Sequence, residues 1–352
     1  MNPPARSYSA PGRVRGAVTQ SPLGIAIIGC GRISRSHAAA IAACPEVARV
    51  LAVVDRDCAR AHALAHEFGV AQVCDTLEAA LRMPGVDAVI ICTPNSMHAE
   101  QSIVALEAGV HVLVEKPMAD HSADAARMSR TAEFAGRVLA IGHTFRHSDP
   151  IRYVQDHRAE FGRLRAVEVS MCVHWPGPQA PWWATRSARE GLILALFAPH
   201  ALDFVQLALG DANPLSVHCE AARHQSGWQG EDEAMILLRY PAGCLASVHV
   251  SYNQSFIVDR KTLHYERAFV RIENAQELWI DDRAIMLPAD GGEAVHSMGQ
   301  SDLGDFFRRQ LSEFAAAVRG EPNRSVLHAE GLRMAQLLDR VISHGADSLA
   351  RG

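Results

Sequence analysis

An unbroken apolar run, Leu23-Gly-Ile-Ala-Ile-Ile28, leads into Gly29-Cys-Gly31-Arg-Ile-Ser34 and then into an Ala-rich stretch. Apolar residues without alternation suit a parallel strand buried on both faces. Ser34 to Ala43 reads as a helix stopped by Pro45. Strand, glycine turn and helix in that order leave the chain few choices. Gly29 permits the tight turn, Gly31 lets backbone approach a pyrophosphate, and the helix N-terminus offers it free N–H groups. The motif is G-x-G-x-x-G with serine in the last place.

The alternation continues. Val50–Val54, Asp87–Cys92, Val110–Val114 and Val138–Ile141 read as strands. Cys58–Phe68, Ser96–Ala108 and Ser122–Ala135 read as helices, each closed by a glycine. Repeated strand–helix units predict a doubly wound parallel sheet, a Rossmann domain over residues 23–146. After Pro150 the texture changes. Leu164–Val173, Ala234–Tyr240, Cys244–Tyr252 and Phe269–Asp281 read as strands, with a hairpin turn at Tyr240–Cys244, and helices follow over Asp302–Arg319 and His328–Ser343. That order predicts a second, α+β domain over residues 147–345 with a large, mostly antiparallel open-faced sheet. The fold class is therefore α/β, and 352 residues accommodate two such domains.

Composition narrows the partners. A net charge of -5 argues against nucleic acid. The longest apolar run, Leu192–Ala198, is far too short to span a membrane and reads as a core segment. The first 22 residues, rich in Pro, Gly, Ser and Arg, have no apolar signal core and read as a disordered tail. The eight cysteines show no C-x-x-C spacing, which suggests free thiols in a reducing, cytoplasmic setting. His62/His66 and His143/His147 are paired at i, i+4 but lack a third ligand nearby in sequence, so no metal is expected.

Three groups of residues stand at predicted strand ends, where an open α/β sheet binds its ligand. Asp55, at the end of the second strand, is placed to accept hydrogen bonds from an adenosine ribose. It would repel a 2′-phosphate, which favours NAD, whereas adjacent Arg56 could accept one, so NADP stays open. Cys92-Thr93-Pro94-Asn95, with His98 just after, forms the second group. Glu115-Lys116-Pro117 forms the third, and Lys116 is one of only two lysines in the chain. A lysine partly desolvated beside a nicotinamide can hydrogen-bond the reacting oxygen and exchange its proton.

These motifs, in this order, resemble the glucose-fructose oxidoreductase, inositol dehydrogenase and MocA-like (Gfo/Idh/MocA) oxidoreductases, from about residue 23 to 345. The resemblance implies hydride transfer between NAD(P) and a carbon of a sugar, cyclitol or related small molecule. It implies nucleotide contacts from Gly29, Gly31, Arg32, Ile33, Asp55, Arg56, Thr93, Pro94, Asn95, His98, Glu115 and Lys116, and catalysis by Lys116. Gly142–Pro150 is similar to the family's crossover into the second domain, and Arg146 within it is a substrate-side candidate. The family often carries Asp-x-Gly-x-His-x-x-Asp on a helix of the second domain. The matching stretch here is Leu196-Phe-Ala198-Pro-His200-Ala-Leu-Asp203. His200 and Asp203 are kept, so His200 is a candidate acid or base beside Lys116, but Leu196 replaces the acid. A leucine can neither accept a proton nor orient a hydroxyl, which suggests an atypical substrate. Before it, Trp175 to Arg186 reads as a long loop whose Trp182 and Trp183 suit stacking on a sugar ring or an apolar substrate. Two further readings compete: an NAD-dependent glycosidase or epimerase that retains its cofactor, and a non-catalytic dinucleotide sensor. The resemblance also implies a homodimer or homotetramer, with Phe269–Asp281 a candidate contributor.

Overall fold

The computed structural model describes residues 21–351 except Gln179, Asp211 and residues 288–302. The tail expected over residues 1–22 lies almost wholly outside these residues, as does the expected helix start at Asp302.

The first sheet has seven strands: β1 (Leu23–Ile28), β2 (Ala48–Val54), β3 (Gln72–Cys74), β4 (Ala88–Ile91), β5 (His111–Glu115), β6 (Leu139–Gly142) and, from the far end of the chain, β15 (Val326–Leu327), in the order β15-β6-β5-β4-β1-β2-β3. All neighbours are parallel except β15, which runs antiparallel to β6. Helices α1 (Arg32–Ala43), α2 (Cys58–Phe68), α3 (Leu77–Leu81), α4 (Asn95–Glu107) and α5 (Ser122–Ala135) make the crossovers. The chain steps outward from β1 to β2 and β3, then returns to β4 on the other side of β1. The strand order thus reverses between β1 and β4, and it is there that such a sheet opens a crevice.

A one-turn 3-10 segment (Thr144–His147) leads into α6 (Asp149–Phe161). The second sheet has eight strands: β7 (Leu164–His174), β8 (Ser216–Ala222), β9 (Glu233–Arg239), β10 (Leu245–Ser251), β11 (Asn253–Tyr265), β12 (Phe269–Glu273), β13 (Glu277–Ile280) and β14 (Arg283–Ile285), ordered β14-β13-β12-β11-β7-β10-β9-β8. Only the β7–β10 pairing is parallel. Helices α7 (Ile193–Leu196) and α8 (Ala198–Leu209) lie against one face of it. The last helices reach back: α9 (Gly304–Arg319) packs on α1, with Leu311, Phe314 and Ala315 in the core of the first sheet. α10 (His328–Leu349) straddles both, placing Ala335 in one core and Leu338, Val341 and Ile342 in the other.

Several local readings are corrected. Phe269–Asp281 is not one strand but the β12–β13 hairpin, turned at Asn274 and Ala275, both with φ near 55°. Pro150, after which the texture changes, sits in the first turn of α6, where a missing N–H costs nothing. β11, the longest strand, carries no readable apolar alternation because two of its inward positions hold an ion pair, Asp259 with Lys261, almost without exposure. The Lys261 ammonium lies 5.9 Å from the ring centres of Phe145 and Phe204. The Tyr240–Cys244 turn does join β9 to β10 as a hairpin.

One buried ionic cluster joins the two halves. The Arg146 guanidinium grips Asp203 on α8 through Nε and Nη2 (2.8–3.0 Å) and donates from Nη1 to Glu330 on α10 at 2.9 Å. Burial works against its charge, but the two carboxylates outweigh that and leave it more firmly protonated than an ordinary arginine. Removing one partner of such a pair strands the other charge away from water. Arg146→Met is therefore expected to lower folding stability by about 3–5 kcal/mol, read as a fall in the denaturant midpoint. A change under about 1 kcal/mol would show that solvent reaches Asp203.

Candidate active site

A cleft of about 1400 Å³ runs from the ends of β1, β2, β4 and β5 to the second sheet. It exceeds the roughly 300–1,000 Å³ of a single-ligand pocket, and suits a nucleotide with a substrate beside it. Gly29, Gly31, Arg32, Ile33, Asp55, Arg56, Thr93, Pro94, Asn95, His98, Glu115, Lys116, Trp182, Trp183, Leu196 and His200 all line it.

The glycine turn is built for close approach. Gly29 has φ of 91°, and a Cβ there would lie 2.8 Å from the carbonyl carbon of Cys92, so the ends of β1 and β4 can meet only around a glycine. Gly31 is different. Its φ of -82° suits any residue, and a Cβ on it would meet nothing within 4 Å. The open space above it, with no side chain capping the first turn of α1, leaves the N–H groups of that turn available to an anion. Ser34, in the motif's last position, is fully buried and donates its hydroxyl to the Gly31 carbonyl at 2.6 Å, which satisfies it without touching a ligand.

Asp55 is held before any ligand arrives. Its Oδ2 accepts from Cys30 N–H at 2.7 Å and its Oδ1 from Asp57 N–H at 2.8 Å. Each oxygen keeps a lone pair for a further donor, which fits vicinal ribose hydroxyls. Arg56 and Arg60 line the same end. Asn95 begins α4, and its buried Nδ2 has no partner among the described residues. A buried amide donor without an acceptor is what a site for a hydrogen-bonding ligand leaves behind. His98 lies between two carbonyl oxygens, Pro117 at 2.8 Å from Nδ1 and Thr93 at 2.8 Å from Nε2. Burial lowers its pKa, although both carbonyls favour the protonated ring. The neutral ring donates to one of these carbonyls, and only the protonated ring donates to both and so clamps the Cys92–Asn95 turn to the Glu115–Pro117 turn.

Glu115 and Lys116 close β5. Burial pushes the Glu115 carboxyl up, but the His37 hydrogen bond at 2.8 Å and the charges of His37, Lys116 and His98 overcome it and leave its pKa below the usual carboxylate value. The Lys116 ammonium donates to the backbone carbonyl of Leu196 at 2.6 Å, across the cleft. Burial lowers its pKa from 10.5 to about 8, against the pull of Glu115. His200, on α8, lies edge-on to Phe145, with ring centres 4.9 Å apart, and its buried Nδ1 has no partner among the described residues. Burial, with the positive charges of Lys116, His143 and Lys261, holds it well below 6.5, so the ring is neutral.

The structure does not bring Arg146 and Asp203 into the cleft. Their facing atoms are committed to each other, and neither can reach a substrate without breaking a buried ion pair. Residues the sequence did not single out also line it: Phe145 in the 3-10 turn, Ser255 and Phe256 on β11, and Phe306 and Phe307 on α9. His37 acts one step back, through Glu115. No local pattern marks these residues, because the fold brings them in from distant segments. Among the described residues no three His, Cys, Asp or Glu side chains gather to hold a metal ion, and no helix is long and apolar enough to cross a membrane.

Residues 23–143 match the profile of the oxidoreductase family with an NAD-binding Rossmann fold (GFO_IDH_MocA), and residues 157–268 match the GFO/IDH/MocA C-terminal domain. The chain belongs to the Gfo/Idh/MocA oxidoreductase family. It is an NAD(P)-dependent dehydrogenase or reductase whose N-terminal domain binds NAD. Among similar proteins, the 1,5-anhydro-D-fructose reductase of Ensifer adhaerens is 27% identical over 287 residues, 80% of this chain and 84% of that one. Inositol 2-dehydrogenase 1 of Saccharopolyspora erythraea is 28% identical over 84% of this chain and 86% of its own. The D-glucoside 3-dehydrogenase of Escherichia coli is 39% identical over 56% of this chain and 57% of its own. In fold, the chain superposes on levoglucosan dehydrogenase, solved with NADH and levoglucosan, with a TM-score of 0.81 at 20% identity, covering 93% of this chain and 98% of that one.

The Gly31 geometry gives a sharp test of the nucleotide site. Gly31→Ala is expected to leave the melting temperature unchanged, within the roughly 0.5 kcal/mol of a harmless surface substitution, because the methyl group meets no protein atom. It is expected to weaken NAD binding at least about tenfold, by calorimetric titration, because the methyl group fills the approach to the α1 N-terminus. Unchanged affinity would place the diphosphate elsewhere.

Proposed function

We propose that the protein transfers hydride between NAD and a carbon of a sugar-like alcohol or ketone, with Lys116 as the proton-exchanging group and His200 beside it. The observation that carries this reading is the Lys116 ammonium, held across the cleft at the Leu196 carbonyl and drawn down to about 8 by burial. The nicotinamide, when bound, accepts or supplies the hydride. The rest falls to the chain. Asp55, pre-set by two backbone donors, favours a ribose with free hydroxyls and so supports NAD over NADP. The N-terminus of α1 holds the diphosphate, and Asn95 Nδ2 offers a donor toward the reacting end. Near neutral pH Lys116 exchanges a proton readily, so it takes the hydroxyl proton in oxidation and returns it in reduction. His200, neutral, gives the same oxygen a second hydrogen-bonding partner. The aromatic walls limit water at the reacting carbon.

The sign of the pH dependence follows. A lysine with its pKa lowered to about 8 is neutral above that value and charged below it. Alcohol oxidation needs the neutral amine, so kcat/KM is expected to rise about tenfold per pH unit below about 8 and then level off. The reverse reduction falls above about 8. Lys116→Met is expected to erase this limb and lower turnover by about 10²–10⁴, with NAD affinity nearly unchanged. Single-turnover absorbance of the nicotinamide measures both. Full activity in Lys116→Met would remove Lys116 from the chemistry.

The same reading includes a homo-oligomer in a cytoplasmic setting. All eight cysteines are free, which supports a reducing compartment. On the helix-free face of the second sheet, Leu245, Ala166, His264 and Phe269 are cross-strand neighbours, and Met235 and Leu237 lie beside them. Met235 and Leu237 are 58% and 57% exposed, which makes this an apolar face in need of a cover. Light scattering is expected to give at least twice the 38.2 kDa of one chain. Leu237→Lys is expected to reduce that mass, and a wild-type mass of one chain would refute the assembly.

A further inference from the structure

The two ends of the cleft differ in kind. Every carboxylate, amide and guanidinium that lines it (Asp55, Glu115, Asn95, Gln101, Arg32, Arg56 and Arg60) comes from the Rossmann sheet and its helices. Among the described residues, the half built by the second sheet and its loops contributes none. Its central polar groups are the His200 ring and the buried Trp183 Nε1, which has no partner among the described residues, and His174, Thr185 and Ser255 stand exposed at the rim. A sugar ring gains little from hydroxyls buried without partners, so a wall poor in polar groups leaves binding strength to come from an apolar substituent on the ring. Among the described residues, the centre of this wall offers a ring hydroxyl only the His200 imidazole and the Trp183 N–H. Leucine at position 196 removes one more oxygen ligand from the same wall.

In place of polar groups the wall is aromatic and rigid. Trp175 packs on Tyr252, Trp183 and Phe197 at ring-centre distances of 4.8, 5.4 and 5.7 Å. Trp182 stands edge-on to Trp183 at 6.0 Å. Arg186, buried, holds this loop in place: it donates to the carbonyls of Glu190 and Gly191 and to Asp120 of the Rossmann domain, and lies 6.0 Å from the Trp182 ring. Phe256 also lines the cleft, from β11, with 66% of its surface exposed. A phenyl ring left that open in the same cleft as the indole wall gains most from covering by a flat apolar group.

We infer that the substrate is an aryl glycoside or a close analogue: a ring with one reacting hydroxyl at Lys116 and His200, bonded to a flat aromatic group that binds among Trp175, Trp182, Trp183, Phe197 and Phe256. This rests on the hydride-transfer reading above and narrows it to a substrate class. The apolar group would supply most of the binding, and the reacting carbon would be positioned through it.

The test compares phenyl β-D-glucopyranoside with methyl β-D-glucopyranoside, each titrated calorimetrically into NAD-saturated protein. The phenyl glucoside is expected to bind at least about tenfold more tightly, the scale of an added ring buried against aromatics. Phe256→Ala, at an exposed position that the fold tolerates, and Trp183→Ala are each expected to collapse that ratio toward one, and Trp183→Phe to keep it. Equal affinities, no binding of the phenyl compound, or a ratio that survives both alanine substitutions would overturn the inference. Nicotinamide absorbance in the same mixtures separates the two claims. Tight phenyl-dependent binding with no reduction of NAD leaves the aromatic subsite standing and sinks the hydride-transfer reading for this ring. Equal turnover of both glucosides does the reverse.

Discussion

Arg146 carries a full charge into the seam between the two sheets, where it is stable only because Asp203 and Glu330 meet it there. The three residues come from the turn after β6, from α8 and from α10, so the ion pair fixes three elements at one point. The site inherits that fixity. His200 stands one turn before Asp203 on α8, and Phe145, adjacent to Arg146, packs edge-on against the His200 ring. The separation of His200 from Lys116 is therefore set behind the cleft, by charges that never enter it. Buried ion pairs add little net stability compared with apolar packing, but they are intolerant of misplacement. A hinge at this seam would have to break charge-assisted hydrogen bonds out of water.

Within the cleft, charge is arranged in depth. Glu115 stays ionised in a buried position because His37 supports it from α1, and its negative charge lies directly behind Lys116. Burial still dominates at the lysine. The result is an amine that titrates close to neutrality beside an imidazole that stays neutral, which is the protonation pattern needed to pass one proton at a time.

The nucleotide half of this arrangement was legible in the sequence because its determinants are local. A glycine turn, an acid at a strand end and a lysine after an apolar strand each lie within a few residues of the pattern that reveals them. The substrate half was not. β11 disguises itself by burying Asp259 and Lys261 where apolar residues would mark the inward face, so Ser255 and Phe256 were missed with it. The β12–β13 turn was hidden because apolar residues continue on both sides of Asn274. Arg146 and Asp203 look like ligand-binding residues in sequence. Only a contact between positions 57 residues apart shows that they bind each other.

The lysine's partner is a main-chain oxygen. A carbonyl of the backbone is present whatever residue occupies position 196, provided α7 keeps its path. The side chain there can thus drift between acid and hydrocarbon while the ammonium stays anchored. On the roles proposed above for Lys116 and position 196, chemistry and selectivity are uncoupled at a single residue, with one read from its backbone and the other from its side chain. A lineage can change what it accepts here without first losing the ability to react.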